Sequence, residues 1–391
     1  MSLNGPRHIA KVPLEIWLEC FEYLAPTARQ TPLPQDVEST AVREGVAWVS
    51  PCPHALYHLS QVCVLFNQLA MRVARRRLVI GPSHDIEFWV QSLSKRGGGD
   101  VVKRVEINNL HSGLLEVLIR LLPNVTDMYL RHCSAAITRI PPLNGSLQPG
   151  FQRLTDLTLS GLSAFATMQV LCNLSTVAKT LERLWLVQAM RGDANPTTAG
   201  TRRYTFANLQ WLIVGAPGRR FQPGRADEPM REILTALTGM FELPRIKRFD
   251  NLDALGYQAS FFIRFGQQLE AIAITSEDYD LDTHGNFPLH CPNLKTVIIV
   301  IVLMHLRICS LALPEGVNRL VLRSPELLPW QVEEQRMQLL RRALYDSSRR
   351  SLSCLKTIAI SGMTHWGRSS GWFCRRVKYL REEGVEVIET M

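Results

Sequence analysis

The chain has 391 residues, of which 46% are hydrophobic and 20% are charged, and its formal net charge is +9. The composition predicts a packed protein rather than a largely disordered one, and the length predicts two units or one long repeat array. The charge does not by itself indicate nucleic-acid binding, because the arginines are scattered and no basic motif contains interleaved aromatic residues.

No segment has the pattern of a membrane span or of a secretory signal. The first residues lack the apolar core of a signal peptide, and the longest apolar run, residues 297–304, is far shorter than the roughly 20 residues that a bilayer requires. The nine cysteines include no CxxC pair, which is typical of reduced core residues. We therefore expect a protein of the cytoplasm or nucleus with no membrane partner.

The first predicted element is an amphipathic helix in the stretch VPLEIWLECFEYL, residues 12–24. Pro13 suits the first helical position, and the apolar residues that follow fall on one helix face: Leu14, Trp17, Leu18, Phe21 and Leu24. Residues 25–58 are rich in proline and form a predicted loop that is long for a compact domain.

A second helix is predicted after this loop. Its apolar face contains Leu59, Val62, Cys63, Phe66, Leu69, Ala70 and Val73. Three consecutive cations, Arg75, Arg76 and Arg77, are predicted to close the helix, since the helix dipole favours positive charge at the C-terminal end.

From residue 102 onward, ten short segments have the form apolar-x-x-apolar-x-apolar. They begin at residues 102, 125, 154, 181, 209, 246, 269, 294, 317 and 355, and the copy at 246 is degenerate, with Asn251 at its third apolar position. Seven of the nine spacings lie in the range of about 20–29 residues that is typical of a leucine-rich repeat. The pattern predicts an α/β fold in which about ten strand–helix repeats stack into a curved solenoid. An ordinary α/β protein with hydrophobic doublets is the alternative.

The two N-terminal helices resemble an F-box. That motif begins with an apolar-Pro-x-Glu-Ile/Leu-Trp-type helix, as in VPLEIWLECFEYL, and continues with a Leu-x-x-Val-Cys-x-x-Phe-type helix, as in LSQVCVLFNQLAMRVARRRL at residues 59–78. With predicted leucine-rich repeats after it, the whole chain is similar to the F-box/leucine-rich-repeat proteins of filamentous fungi. The resemblance implies a short helical F-box domain at residues 1–80, with residues 25–58 inserted, and a leucine-rich-repeat solenoid at residues 81–391. The usual F-box joins its helices tightly, so the inserted loop is a departure from the family pattern.

The resemblance also implies a function, namely substrate recognition in an SCF-type cullin–RING ubiquitin ligase. In the family, the F-box binds a Skp-type adaptor and through it a cullin, while the repeats hold a protein substrate. Carried over to this sequence, the adaptor-binding residues are Pro13, Leu14, Ile16, Trp17, Phe21, Val62, Cys63, Phe66 and Leu69. The alternative is a non-ligase interaction scaffold in which the F-box-like helices only cap the solenoid.

The predicted substrate surface is the concave wall, formed by the residues that alternate with the buried ones along each strand. In the N-terminal half these positions are rich in arginine and aromatic residues, which dominate binding hot spots. We expect the substrate to contact Arg104, Tyr129, Arg131, Arg183, Trp185 and Trp211. Packing of these aromatic residues beneath a loop or the C-terminal tail is the alternative. Further along, the outward positions become small and apolar: Ala271, Ala273, Ile298, Val300 and Val321.

No motif in the sequence predicts catalysis. A GxSxG elbow, a P-loop, an HExxH motif and a Rossmann glycine fingerprint are all missing. His54 and His58 have only Cys52 as a nearby soft ligand, and Cys63 is predicted to pack within a helix face rather than act as a nucleophile. We expect no enzyme activity, no cofactor and no metal site.

Overall fold

The computed structural model describes residues 13–14, 16–18, 20, 61–80, 86–96, 98–108, 117–118, 120–131, 152–175, 178–190, 203–215, 228–252, 258–275, 289–300, 313, 316–323, 354–361 and 371–390. Its helices and strands are α1 (Val64–Ala74), β1 (Arg77–Ile80), α2 (Ile86–Arg96), β2 (Arg104–Asn108), β3 (Asp127–Arg131), β4 (Asp156–Ser163), α3 (Ala164–Ser175), β5 (Arg183–Met190), β6 (Tyr204–Thr205), β7 (Trp211–Val214), α4 (Glu228–Met240), β8 (Phe241–Glu242), β9 (Arg248–Asn251), α5 (Ala259–Phe265), β10 (Ala271–Thr275), β11 (Thr296–Val300), β12 (Arg319–Arg323), β13 (Thr357–Ser361), α6 (Gly371–Glu382) and β14 (Glu386–Thr390). The stretch before α1 is helical at Leu14, Ile16, Trp17, Leu18 and Cys20.

The strands form one large parallel sheet that does not close on itself. Within the described part of the chain it has 12 strands, in the order β1-β2-β3-β4-β5-β7-β9-β10-β11-β12-β13-β14, so every strand lies beside its predecessor in the sheet. The short strands β6 and β8 pair separately. The predicted α/β class is confirmed, and each of the ten predicted segments overlaps a strand of the large sheet.

Two strands extend the sheet beyond the ten predicted segments. β14 pairs with β13 at the C-terminal edge, and β1 pairs with β2 at the other edge. The second helix ends at Ala74, earlier than the arginine run suggested, and Arg77 is already the first residue of β1. The reason lies in the alternation of the next residues, since Leu78 and Ile80 are buried while Val79 is exposed, as in a strand. The sheet therefore begins before residue 81.

One backbone contact repeats along the edge of the sheet where the strands begin. The carbonyl oxygen of Lys103 accepts hydrogen bonds from the N–H groups of Thr126 and Asp127 at 2.8 and 3.1 Å. The same two-donor contact occurs at the carbonyl oxygens of Arg76, Thr126, Thr155, Glu182, Gln210, Lys247, Glu270, Lys295 and Asn318. Successive strands therefore begin in the same alignment, although the intervening segments differ in length.

The main hydrophobic core lies on one face of the sheet. Alternate strand residues such as Val105 and Leu157 are buried there against Leu171 of α3, Ile233 of α4 and Phe261 of α5. The opposite face carries the other strand residues, and we call it the outer face.

The turns between strands also repeat their contacts. Gly99 and Gly266 each begin a three-residue 3-10 turn, and a β-carbon added at either glycine would overlap the backbone carbonyl of Leu121 or His290, respectively. Three asparagines, which we call the turn asparagines, bind the carbonyl oxygen of a preceding turn through their side-chain amide: Asn124 to Asp100 at 2.7 Å, Asn208 to Lys179 at 2.7 Å and Asn293 to Gln267 at 2.8 Å. Each directly precedes the first apolar residue of a predicted segment, so the repeat is visible in the turns as well as in the strands.

The N-terminal helical residues form a small apolar cluster of their own. Phe66, Leu69, Ala70 and Val73 of α1 are buried, and the rings of Trp17 and Phe66 lie 4.8 Å apart between centroids. This cluster is separate from the main core. The predicted loop at 25–58 lies outside the described residues. Of the helices that the structure describes, none has both the length and the apolar character to cross a bilayer.

Candidate functional site

The outer face carries a continuous row of charged and aromatic side chains. The strand register places seven of them side by side on successive strands: Arg77, Arg104, Asp127, Asp156, Arg183, Trp211 and Arg248. We call this set the charged row. Neighbouring strands in a sheet are about 4.8 Å apart, so each side chain in the row can contact the next.

All six predicted substrate residues lie on the outer face. Arg104, Arg183 and Trp211 belong to the charged row, Tyr129 and Trp185 lie two residues further along their strands, and Arg131 lies at the end of β3. Each of the six is half-buried. The structure therefore places these residues on one surface, although many of their polar groups already have partners within the protein.

The positive charge at the start of the charged row is partly neutralised by Glu106. This side chain is buried, with 4% of its surface exposed, and its Oε1 atom accepts hydrogen bonds from Arg77 at 2.5 Å and from Arg104 at 2.7 Å. The carboxylate is desolvated but has two cationic partners, which is the arrangement that makes a buried charge tolerable. Arg104 is therefore held in place by an ion pair rather than projecting freely towards a ligand.

Two carboxylates stand next to each other in the middle of the row. Asp156 forms an ion pair with Arg183 and accepts a hydrogen bond from the Thr155 hydroxyl at 2.8 Å. Asp127 accepts a hydrogen bond from the Thr126 hydroxyl at 2.6 Å. Burial raises the pKa of Asp127, and the charge of Asp156 raises it further, whereas the Thr126 hydrogen bond and the two nearby arginines oppose that shift.

Trp211 lies between two arginines. The guanidinium carbon of Arg248 is 4.1 Å from the centre of the indole ring, and that of Arg183 is 5.3 Å away. Both distances are within cation–π range. The indole nitrogen is buried and has no partner that meets hydrogen-bond geometry, yet it lies near enough to Asp250 to lower the pKa of that carboxyl. Trp211 is therefore flanked by two cations of the protein itself.

Asp250 connects this aromatic group to the middle of the sheet. Its side chain is fully buried and accepts hydrogen bonds from Nε and Nη2 of Arg248, each at 2.8 Å. Burial raises the pKa of Asp250, while the charge and hydrogen bonds of Arg248 oppose the shift. A bidentate guanidinium–carboxylate pair of this kind has a fixed geometry, so the Arg248 side chain is held in one orientation.

Beyond Trp211 the outer face becomes apolar. Ile213, Leu252, Ala273 and Val300 are buried in a second cluster on this face, against which Trp185, Trp211 and Ile298 pack. The indole N–H of Trp185 donates a hydrogen bond to the backbone carbonyl oxygen of Gly215 at 2.8 Å. Three of the small and apolar outward positions predicted from the sequence, Ala273, Ile298 and Val300, thus belong to a packed patch next to the charged row.

The predicted adaptor-binding residues divide into two groups. Trp17, Cys63, Phe66 and Leu69 take part in the small N-terminal cluster. Pro13, Leu14, Ile16 and Val62 face outward, and the exposed fractions of the last three are 43%, 49% and 59%. Phe21 lies outside the described residues. Cys63 directly precedes α1, and its sulfur accepts the N–H of Phe66 at 3.5 Å, so it caps this helix as well as packing against it.

The predicted substrate residues did not include the acids that pair with arginines on the outer face, or Arg248. A signal for two of these pairs is present, because residues two apart on a strand share a face and both Arg104–Glu106 and Arg248–Asp250 have this spacing. The Asp156–Arg183 pair has no such local signal, since its members are 27 residues apart.

Comparisons with known proteins do not assign the site. No model of a known protein family matches the chain, and no curated protein matches it. Among the described residues, histidine, cysteine and carboxylate side chains form no group of three that could hold a metal ion.

Proposed function

We propose that the chain is a non-enzymatic substrate-recognition subunit of an SCF-type cullin–RING ubiquitin ligase. The N-terminal helices act as an F-box that binds a Skp-type adaptor, and the sheet is the strand layer of a leucine-rich-repeat solenoid that binds a protein substrate on its outer face. The observation that carries this proposal is the presence of two separate cores: a small cluster around Trp17 and Phe66, and then a sheet whose strands lie side by side in chain order.

The repeated contacts support the solenoid part of the proposal. A repeat architecture requires each unit to contact its neighbours in the same way, because no unit can bury its strand and helix alone. The two-donor carbonyl contact recurs from Arg76 to Asn318, and the close approaches at Gly99 and Gly266 are equivalent although they lie in distant parts of the chain.

The exposed apolar residues near the N-terminus support the proposed binding of an adaptor. Leu14, Ile16 and Val62 place apolar side chains in solvent next to a cluster with few buried residues. Burial of such side chains against a partner is favourable by roughly 25 cal/mol per Å² of apolar surface. Trp17 and Phe66 hold the two helical pieces together, so the exposed and buried residues have different roles.

The test is co-expression with a fungal Skp-type adaptor followed by size-exclusion chromatography. Ile16→Lys is the variant and Ile263→Lys is its matched control, because Ile263 is also an exposed isoleucine, 63% accessible, but lies on α5. We expect a one-to-one complex for the wild type and for Ile263→Lys, and no complex for Ile16→Lys. A folded wild-type chain that elutes alone, or a complex that survives Ile16→Lys, would reject adaptor binding through this surface.

A second candidate function is a non-ligase scaffold in which the N-terminal helices cap the solenoid. It is favoured by one observation: α1 leads after two residues into β1, the edge strand of the sheet. If the helices are only a cap, Ile16→Lys changes no interaction, whereas Phe66→Ala lowers the stability of the adjoining strands. Thermal unfolding of the two variants, measured together with the chromatography, distinguishes the ligase subunit from the scaffold.

A further inference from the structure

The outer face has an excess of positive charge between β9 and β12. Among the described strand residues on that part of the face, Arg248, Arg319 and Arg323 are cations, and Asp250 is the one acid. Asp250 is already engaged by both nitrogens of Arg248 at 2.8 Å. Arg323 forms no ion pair within 4.0 Å with any residue that the structure describes.

Arg323 is nevertheless part of the same electrostatic group. Burial lowers the pKa of Arg323, the negative charge of Asp250 raises it, and the positive charge of Arg248 lowers it. Three strand spacings separate β9 from β12, about 14 Å at roughly 4.8 Å per strand. In the strand register, Arg323 lies beside Val300 on β11, and Val300 lies beside Thr275 on β10; both of these neighbours are buried.

The described outer-face side chains next to Arg323 on β11 and β12 are apolar. Val300 on β11 is 1% exposed, while Ile298 on β11 and Val321 on β12 are half-buried and partly accessible. A partly desolvated guanidinium group is under-compensated when the one acid among the described strand residues on this part of the face, Asp250, is already paired with a second arginine. The ligand that suits this surface carries one negative charge for Arg323 and apolar groups for Ile298 and Val321.

We propose that the outer face between β9 and β12 binds a peptide segment of a partner protein in which one carboxylate side chain is flanked by apolar residues. The carboxylate pairs with Arg323, and the flanking residues cover Ile298 and Val321. The inference rests on the proposed function because it takes a protein as the source of the ligand. Binding at this surface requires no adaptor, so it is measured independently of the N-terminal helices.

The test is fluorescence anisotropy with the purified full-length chain and four pools of fluorescein-labelled peptides. Each pool has randomised apolar flanks around one central residue, which is glutamate, glutamine, lysine or phosphoserine. A charged hydrogen bond contributes about 1.5–3 kcal/mol, which corresponds to roughly tenfold or more in affinity. We therefore expect the glutamate pool to bind at least about tenfold more tightly than the glutamine and lysine pools.

Two arginine variants identify the site. Arg323→Gln should abolish the preference for glutamate over glutamine, while Arg319→Gln, on the same strand and face but exposed, should keep it. Three results would overturn the proposal. They are equal binding of the glutamate and glutamine pools, a preference for the phosphoserine pool alone, and an equal loss of the glutamate preference in both variants. Absence of binding by every pool to a folded chain would also overturn it, and would leave the adaptor result unaffected.

Discussion

The guanidinium group of Arg248 lies over the indole ring of Trp211, with 4.1 Å between the guanidinium carbon and the ring centre, and the two residues are register partners on β7 and β9. The same guanidinium forms a bidentate pair with the fully buried Asp250. One side chain thus links the aromatic part of the outer face to a buried carboxylate, and its position depends on both contacts.

Removing the buried carboxylate should strongly destabilise the protein. Asp250→Ala leaves Arg248 without its ion-pair partner, and breaking a buried pair from one side is destabilising by about 3–5 kcal/mol. The control is Glu242→Ala, because the Arg203–Glu242 pair is exposed and such pairs contribute about 1 kcal/mol or less. Urea unfolding of both variants measures the difference. Equal losses of unfolding free energy in the two variants would show that the Asp250–Arg248 pair contributes no more to stability than an exposed pair.

The pKa of Asp127 predicts a pH-dependent gain in stability for Asp127→Asn. Burial raises the folded-state pKa of this carboxyl above its unfolded value, so the folded state binds the proton more tightly. The stability that this group contributes is present below the unfolded pKa and is lost as the pH rises through the folded pKa. Asn can still accept the Thr126 hydrogen bond, so Asp127→Asn should unfold at a higher temperature than wild type at pH 7.

The advantage of Asp127→Asn should shrink as the pH falls through the folded-state pKa, and it should be gone below about 4, where the carboxyl is protonated in both states. Thermal unfolding across this pH range is the measurement, and Asp100→Asn is the control because Asp100 is exposed in a turn. A pH-independent effect, or destabilisation at pH 7, would contradict the assignment of burial as the dominant influence on Asp127.

The separate N-terminal cluster predicts local rather than global effects of Phe66→Ala. Phe66 is 7% exposed and packs on Trp17, so its truncation should destabilise this cluster by about 3–5 kcal/mol. Hydrogen exchange of α1 amides should then accelerate while that of β7 is unchanged. Leu212→Ala, which removes a fully buried residue of the main core, should instead accelerate exchange in the sheet. Loss of protection across the whole sheet in Phe66→Ala would indicate one cooperative unit.

Two glycine substitutions should have opposite effects on stability. In Gly266→Ala the new β-carbon overlaps the carbonyl oxygen of His290, which forces the backbone to move and should destabilise the protein by more than about 2 kcal/mol. Gly239 lies in α4 with no atom near its β-carbon position, so Gly239→Ala should stabilise by up to about 1 kcal/mol through helix propensity. Chemical denaturation measures both, and a neutral Gly266→Ala would contradict the close packing of these turns.

Each turn asparagine should contribute a similar amount to the free energy of unfolding. Asn293→Ala removes the hydrogen bond to the carbonyl oxygen of Gln267 and should destabilise by about 1 kcal/mol, and Asn124→Ala should have a comparable effect. Gln267→Ala keeps the acceptor carbonyl and changes only an exposed side chain, so it serves as the control. Urea denaturation that finds no difference between Asn293→Ala and Gln267→Ala would reject a structural role for this contact.

The amino-acid sequence by itself determined where ten of the twelve described strands of the large sheet lie and which of their residues point away from the core. Both follow from local alternation, since a strand turns successive side chains to opposite faces, and even the degenerate copy around Asn251 forms β9. The Asn-Val and Asn-Leu pairs at residues 124–125, 208–209 and 293–294 were also visible in the sequence, but their role appears only when the acceptor carbonyls are seen. Strand β1 was missed because its four residues directly follow a helix.

Only the tertiary structure decided which outward side chains remain available to a partner. Arg183 is a predicted substrate residue, and the structure shows that its guanidinium group is paired with Asp156 and adjacent to Trp211. Ala273 and Val300 were expected to line the surface, and they are buried in the second apolar cluster. The physical reason is that alternation depends on neighbours along the chain, whereas ion pairs and packing depend on neighbours across the sheet. Successive predicted segments begin 23 to 38 residues apart, so no local pattern in the sequence encodes the contacts between them.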